Sequence, residues 1–428
     1  MFDIVIVGGG AAGFYAAIHI AEFNSKLKIA ILERGKEVLT KVKVSGGGRC
    51  NVTHAEFDPN ELIKYYPRGE KELRGPFHTY CSGDTVAFFE KRGIALKIEE
   101  DGRMFPESNS SQTIIDCFMD EADRLGIKLL RNSSVVAIDT IKKSDVIPFD
   151  GWVVESIQKK YYAKKIVVAT GSNPKIWKLL ENLGHSIVPP VPSLFTFNIK
   201  DPRIEGIPGV ATKARVAILE SNTSKVIIDL KSKITSKISL ESEGPLLITH
   251  WGMSGPAILK LSAWGARDLS DRKYKFKIRV NWLPDYHEEG VLQLLLQIKD
   301  IEAKKTVLRT NAVAIPRRLW INLVKAATIS ETTKWADITK NQLQLLAKEL
   351  TAGEYIVDGK STFKEEFVTA GGVDLKEINF KTYESKIKNN LFFAGEVINI
   401  DAITGGFNFQ NAWTGAYIVA QAIVKATT

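Results

Sequence analysis

Residues 4–13, IVIVGGGAAG, constrain this chain more than any other stretch: an apolar strand runs into Gly8, Gly10 and Gly13 and then into a helix. That order is the dinucleotide-binding turn. Gly8 permits the tight turn, Gly10 lets the backbone approach a pyrophosphate, and Gly13 allows the helix to pack closely on the strand. The helix beginning near Ala11 and Ala12 aims unpaired N–H groups and the positive end of its dipole at the phosphates. Twenty positions after Gly13, Glu33 closes a second apolar run, KIAILE, where a carboxylate accepts hydrogen bonds from a ribose hydroxyl. A lone glycine turn is weak evidence, but here strand, helix, second strand and acid fall in register. An acid at this position favours FAD or NAD over a 2′-phosphorylated nucleotide and does not separate those two.

At 428 residues the chain is long for one core and predicts two or three domains. Its formal net charge of +9 implies mild affinity for anions, which a dinucleotide alone satisfies. The charge also keeps nucleic acid open as a partner, although Lys and Arg are spread along the chain with no dense block. Cys50, Cys81 and Cys117 form no CxxC pair and no metal-ligand spacing, so a reducing cytoplasm is expected and no metal centre. Three consecutive glycines break the first apolar run, unlike a signal peptide, and no run reaches the apolar length of a membrane span.

Beyond the first βαβ unit and a polar loop, GDTVAFFEKRGI and SQTIIDCFMDEADRLGI carry apolar residues at helical spacing and stop at Gly93 and Gly126. KLLRNSSVVAI, GWVVESI and YYAKKIVVATGS read as strands, the last ending in Ala169, Thr170 and Gly171. From about residue 188 the pattern changes to short β-like runs, PPVPSLFTFNI, RVAILE and KVIIDLKSKI, as in a small barrel or sandwich inserted into the nucleotide-binding domain. The expected fold is therefore α/β: a Rossmann-like domain assembled from both chain ends (1–188 and 367–428), a β-barrel-like insert (189–286, returning at 351–366) and a helical lobe (287–350). The Phe88–Phe89 pair and the run around Trp320 are expected core.

Two further stretches carry chemistry. KVKVSGGGRCNV, residues 41–52, places three glycines beside Ser45, Arg49 and Asn51, a poor helix or strand interior but a good backbone cradle for a pyrophosphate or a ring edge. Arg49 brings a fork of donors. Residues 392–423 run from a strand through Gly395, Glu396, Asp401, Gly405 and Gly406 into a helix near Asn408, a second helix N terminus available to an anion or a ring carbonyl.

The combination of GGGAAG, KVSGGGRCNVT, EEDGRMFPESNSS, THWGMSGPAIL and AGEVINIDAITGGFNFQNAWTGA resembles a family of bacterial FAD-containing flavoproteins, over almost the whole length. The family is related to bile-acid-converting reductases and aminoacetone oxidases, and more distantly to fumarate reductase flavoprotein subunits. The resemblance implies an FAD pyrophosphate at Gly8–Gly13, the adenosine ribose at Glu33 with Arg34 beside it, and an adenine-side contact at Val135. It implies that Lys43, Ser45, Gly46, Gly47, Arg49, Cys50 and Asn51 lie beside the flavin. It also implies that Ala169–Gly171 form one flanking loop, and that Gly395, Glu396, Asp401, Gly406, Phe407, Asn408 and Gln410 form the C-terminal one. His54 stands where relatives more often carry asparagine.

No second GxGxxG is present, so NAD(P)H, if it reduces the flavin, enters the substrate cleft without its own Rossmann unit. His250 is the candidate substrate-side acid or base, with a structural histidine as the alternative. Arg49 is the candidate for stabilising reduced flavin or a substrate carboxylate, with FAD anchoring as the simpler role; Arg103 reads as an anion clamp or an ion pair. The expected activity is hydride transfer between flavin N5 and a small organic substrate held between the FAD domain and the insert. Reduction of an activated C=C bond with electrons from NAD(P)H and oxidation of a small amine by oxygen both suit it. The alternative is a flavin-bearing RNA-binding or RNA-modifying protein, motivated by the basic helical region around Arg317, Arg318 and Lys325.

Overall fold

The computed structural model describes residues 1–219, 240–361 and 368–426, so the expected strand KVIIDLKSKI lies outside the described residues. The chain divides into two units, Met1–Val191 with Lys364–Thr428 and Pro192–Phe363. Both ends of the chain therefore build the first unit.

In that unit β1 (Phe2–Val7) leads into α1 (Ala11–Phe23) and β2 (Ile29–Leu32). Later come α2 (Ser111–Arg124), β3 (Lys128–Leu130), β4 (Lys160–Val168), β5 (Leu391–Phe393) and α3 (Phe407–Lys425). The five strands are parallel in the order β5-β4-β1-β2-β3. Strands covered on both faces read as unbroken apolar runs, and all four residues of β2, IAIL, are buried. Strands Val135–Ile141 and Gly151–Ser156 continue antiparallel from β4. Helix α1 packs along α3, so the first helix of the chain is clamped by the last. Phe88 and Phe89 are buried as expected. The stretch read as a polar loop contains the helix Glu70–Thr79, which buries Leu73, Pro76 and Phe77.

The second unit holds an antiparallel sheet in the order Gly353–Asp358, Lys275–Asn281, Ala211–Leu219, Glu241–Thr249, Gly252–Ser254, Thr196–Asn198, Lys360–Ser361. Its two ends belong to one run of chain, 353–361, bent at Gly359, so the sheet curls towards itself in a barrel-like way. Strand Lys275–Asn281 alternates, with Phe276, Ile278 and Val280 inside and Lys275, Lys277 and Arg279 outside. Residues 287–350 form the helices Glu288–Ile301, Arg317–Ala326 and Lys340–Ala352. Their Leu295, Trp320 and Leu346 join Val216 and Ile278 of the sheet in one buried cluster. Among the described residues, no helix is long and apolar enough to cross a membrane.

Candidate functional site

The parallel strands bring the glycine turns together. Gly8 follows β1, Glu33 follows β2, Ala169–Gly171 follow β4, and Gly395 and Glu396 follow β5, so all four segments leave the same edge of the sheet. Backbone bonds lock them side by side: Gly8 N–H to Leu32 O at 2.9 Å, Ala169 N–H to Val7 O at 2.8 Å, and Ala394 N–H to Val168 O at 3.1 Å. Strand order reverses about β1, and ligands of open α/β sheets bind at that crevice.

The three glycines of the first turn do different work. Gly8 has φ +118°, and a Cβ there would stand 2.4 Å from Ala169 O; one at Gly13 would stand 2.0 Å from Gly8 O. Gly10 faces open space: apart from its neighbours along the chain, no protein atom lies within 4 Å of where its Cβ would be. It is also the N-cap of α1, whose first turn has no side-chain cap. A row of free N–H donors beside an open cradle fits a pyrophosphate. Glu33 is fixed next to it, Oε2 accepting from Gly9 N–H at 3.0 Å and Oε1 from Gly35 N–H at 2.8 Å. Its backbone carbonyl accepts from Ser133 N–H at 2.7 Å, which brings the buried Val135 strand beside the end of β2; Arg34 is exposed.

The second glycine run is joined to the first by Leu39 N–H, which donates to Gly9 O at 2.9 Å. Helical geometry fails at Ser45, and Gly46 and Gly47 take φ +58° and +69°. Ser45 Oγ donates to Val42 O, and exposed Lys43 pairs with Glu37 at 3.4 Å. Arg49 lies over the Phe105 ring, 3.9 Å from its centroid, with Nη1 2.5 Å from Glu99 Oε1. Cys50 is buried, and desolvation pushes its thiol up to about 12, which keeps it protonated near neutrality and disfavours a thiolate nucleophile. In the amide orientation that satisfies both its ends, Asn51 accepts from Gly406 N–H at 2.9 Å and donates to Thr53 O at 3.0 Å.

At the C-terminal loop Gly395 approaches the start of α1, where a Cβ would lie 3.2 Å from that of Ala12, and Glu396 pairs with Lys41. Gly406, φ +93°, is the N-cap of α3, which like α1 lacks a side-chain cap. Three residues carried over from the resemblance have other partners. Asp401, fully buried, takes a two-pronged ion pair from Arg68. Asn408 staples the loop, accepting from Ala402 N–H and donating to Ala402 O. Gln410 is sealed inside, accepting from Thr53 and Thr85 hydroxyls at 2.7 and 2.9 Å and donating to Thr414 Oγ1 at 3.1 Å. These polar side chains brace the loop, because an irregular buried segment must satisfy its own polar groups. Phe407 is buried against Tyr65 and His54, and burial pushes the His54 imidazolium pKa down.

His250 lies in the second unit, exposed in the turn after strand Glu241–Thr249. Arg103 pairs with Asp101 at 2.7 Å and Glu99 at 3.4 Å, the ion-pair alternative. Sequence reasoning missed Glu99 and Phe105, which hold Arg49, although both lie in or beside the DGRMFP stretch.

A glycine turn with free N–H donors, an acid fixed beside it and a strand order that reverses there define a dinucleotide-binding protein of the Rossmann class. The chain belongs to the family described as the HI0933-like protein Rossmann domain, which matches residues 2–422. It is 27% identical to a ribosomal RNA dihydrouridine synthase of Haemophilus influenzae over 98% of each chain. It is 26% identical to the Escherichia coli protein of that name, over 99% of this chain and 98% of the relative. A 3-dehydro-bile acid delta(4,6)-reductase of Clostridium scindens is also 26% identical, over 99% of this chain and all of the relative.

Proposed function

We propose that this protein is an FAD-dependent oxidoreductase that reduces a carbon–carbon double bond conjugated to a carbonyl, and that the bond is the 5,6 double bond of a uridine in ribosomal RNA. The observation that carries the cofactor is the edge where the Gly10 cradle, Glu33, the Gly46–Gly47 turn and the N terminus of α3 converge. Two separated sets of free backbone donors suit a dinucleotide whose second half is a ring with carbonyl oxygens. When bound, FAD supplies the hydride. The residues of the chain orient it: Gly8–Gly13 and Glu33 hold the adenosine diphosphate half, and the uncapped end of α3 favours negative charge on the ring.

The reduction direction draws on the relatives, whose names all describe saturation of a double bond. Charge favours RNA over a bile acid. Residues 192–363 carry 26 Lys and Arg against 18 Asp and Glu, whereas the rest of the chain carries 32 against 31. Almost all the excess positive charge thus sits in the second unit, more than one steroid carboxylate calls for and suited to a phosphate backbone. This reading implies a cytoplasmic protein, with NAD(P)H as the reductant.

The test is direct. Purified protein with FAD is given NADH or NADPH and unmodified ribosomal RNA, and dihydrouridine is sought by mass spectrometry of the digested nucleosides. A 3-dehydro bile acid carrying the 4,6-diene is run in parallel. Dihydrouridine supports the reading, a saturated steroid alone transfers the protein to small-molecule reduction, and failure to bind FAD removes the reading.

A further inference from the structure

The basic residues of the second unit are not spread evenly. Residues 303–330 carry Lys304, Lys305, Arg309, Arg317, Arg318 and Lys325 and no carboxylate. All six are exposed. Lys305 pairs with Glu302 and Lys325 with Glu331, while Arg317 and Arg318 have no carboxylate within ion-pair distance among the described residues. Both open the helix Arg317–Ala326, and the positive end of a helix disfavours cations, so helix stability does not account for them.

This helix is tied to an exposed aromatic ring. Asn322 lies one turn after Arg318 and one turn before Lys325, so the three share a helix face. Its amide donates to the backbone carbonyls of Arg203 and Glu205, both at 3.2 Å. That loop begins at exposed Lys200, and Ile199 N–H donates to Trp251 O at 2.9 Å. From Ile199 to Arg203 the chain spans at most about 14 Å. Trp251 is 60% exposed, an unusual state for an indole. Within one unit, an exposed indole, Lys200 and the Arg318 face therefore follow one another; Glu205 adds one exposed carboxylate and Arg203 is neutralised by Asp201 and Glu349.

We propose that this surface docks single-stranded RNA, with a base stacked on Trp251 and the backbone running over Lys200 towards Arg318. A basic track beside an aromatic platform is the usual physical solution for an unpaired strand, because every base offers a π-face and every linkage a charge. The inference rests on the RNA reading above and adds where the strand is gripped.

The test compares the FAD-loaded wild type with Trp251→Ala, Trp251→Phe and the double variant Lys200→Ala/Arg318→Ala. Each is titrated with a uridine-rich single-stranded RNA over a range of salt and assayed for dihydrouridine in ribosomal RNA, with flavin content as the check on folding. Trp251→Ala is expected to lose about tenfold or more in RNA affinity and Trp251→Phe to recover most of it. The double variant is expected to lower the salt slope by between one and two. Wild-type indole fluorescence is expected to quench on binding. Variants that bind like a wild type that does form dihydrouridine overturn this surface and leave the RNA reading standing. A wild type without salt-sensitive RNA binding overturns both, as does binding to phosphatidylglycerol vesicles in place of RNA.

Discussion

Glu33 Oε2 accepts a hydrogen bond from the backbone N–H of Gly9 at 3.0 Å, so the acid at the end of β2 is fixed against the turn at the end of β1. The carboxylate keeps lone pairs for a ribose and needs no rearrangement to use them. Glu33→Ala removes a charge-assisted acceptor worth about 1.5–3 kcal/mol, so FAD affinity should fall roughly ten- to a hundredfold. Flavin retention during gel filtration and fluorescence titration read this directly; unchanged retention rules the ribose role out.

Gly10 and Gly13 should separate folding from cofactor binding. A Cβ at Gly10 meets no protein atom, so Gly10→Ala is expected to cost the apoprotein less than about 1 kcal/mol while abolishing FAD binding. A Cβ at Gly13 would strike Gly8 O, so Gly13→Ala should lower apoprotein stability as well. Thermal melts of both apoproteins, beside FAD titrations, decide the matter. Equal losses of stability would refute the distinction.

The Asp401–Arg68 pair makes a different demand. Asp401 is completely buried and Arg68 nearly so, at 14% exposed, and removing one member takes a two-pronged counter-charge from the other. Asp401→Ala should destabilise by about 3–5 kcal/mol in urea unfolding. Replacing both residues with apolar ones of similar size should cost much less. A mild single-variant effect would mean that water reaches the pair.

His19 sets an acid limit on the fold. Burial, aided by Arg92 and Lys91, pulls its pKa from 6.5 to about 3; Glu22, 3.6 Å away, does not offset this and is itself held by Arg92. Between these two values the unfolded chain binds a proton that the folded chain refuses, so this group lowers stability as pH falls from about 6.5 towards 3, by up to about 1.4 kcal/mol per pH unit. His19→Phe should flatten that acid limb in urea midpoints measured from pH 7 to 4. An unchanged slope would show that other groups dominate it.

The nucleotide turn was legible because its information is local: β1, α1, β2 and Glu33 lie within one βαβ unit and each glycine has one steric reason. The protein partners of Asp401, Asn408 and Gln410 were not, since a polar residue in a glycine-rich loop reads the same in sequence whatever it bonds. Their partners, Arg68 for Asp401 and Thr53 and Thr85 for Gln410, are more than 300 residues away in sequence. Helix Glu70–Thr79 was hidden by its polar surface and by Pro76. The helices of 287–350 were visible by periodicity, but periodicity does not say against what a helix buries its face, and here it is the curled sheet.

Because α1 is clamped by α3, a helix made early waits for one made far later in the same chain before its own packing is complete. The intervening 192–363 unit has its own core and can fold while synthesis continues. The glycine turn that opens α1 is therefore braced only after α3 has been synthesised. A truncated chain lacking α3 would leave an apolar helix face open for chaperones and proteases to find.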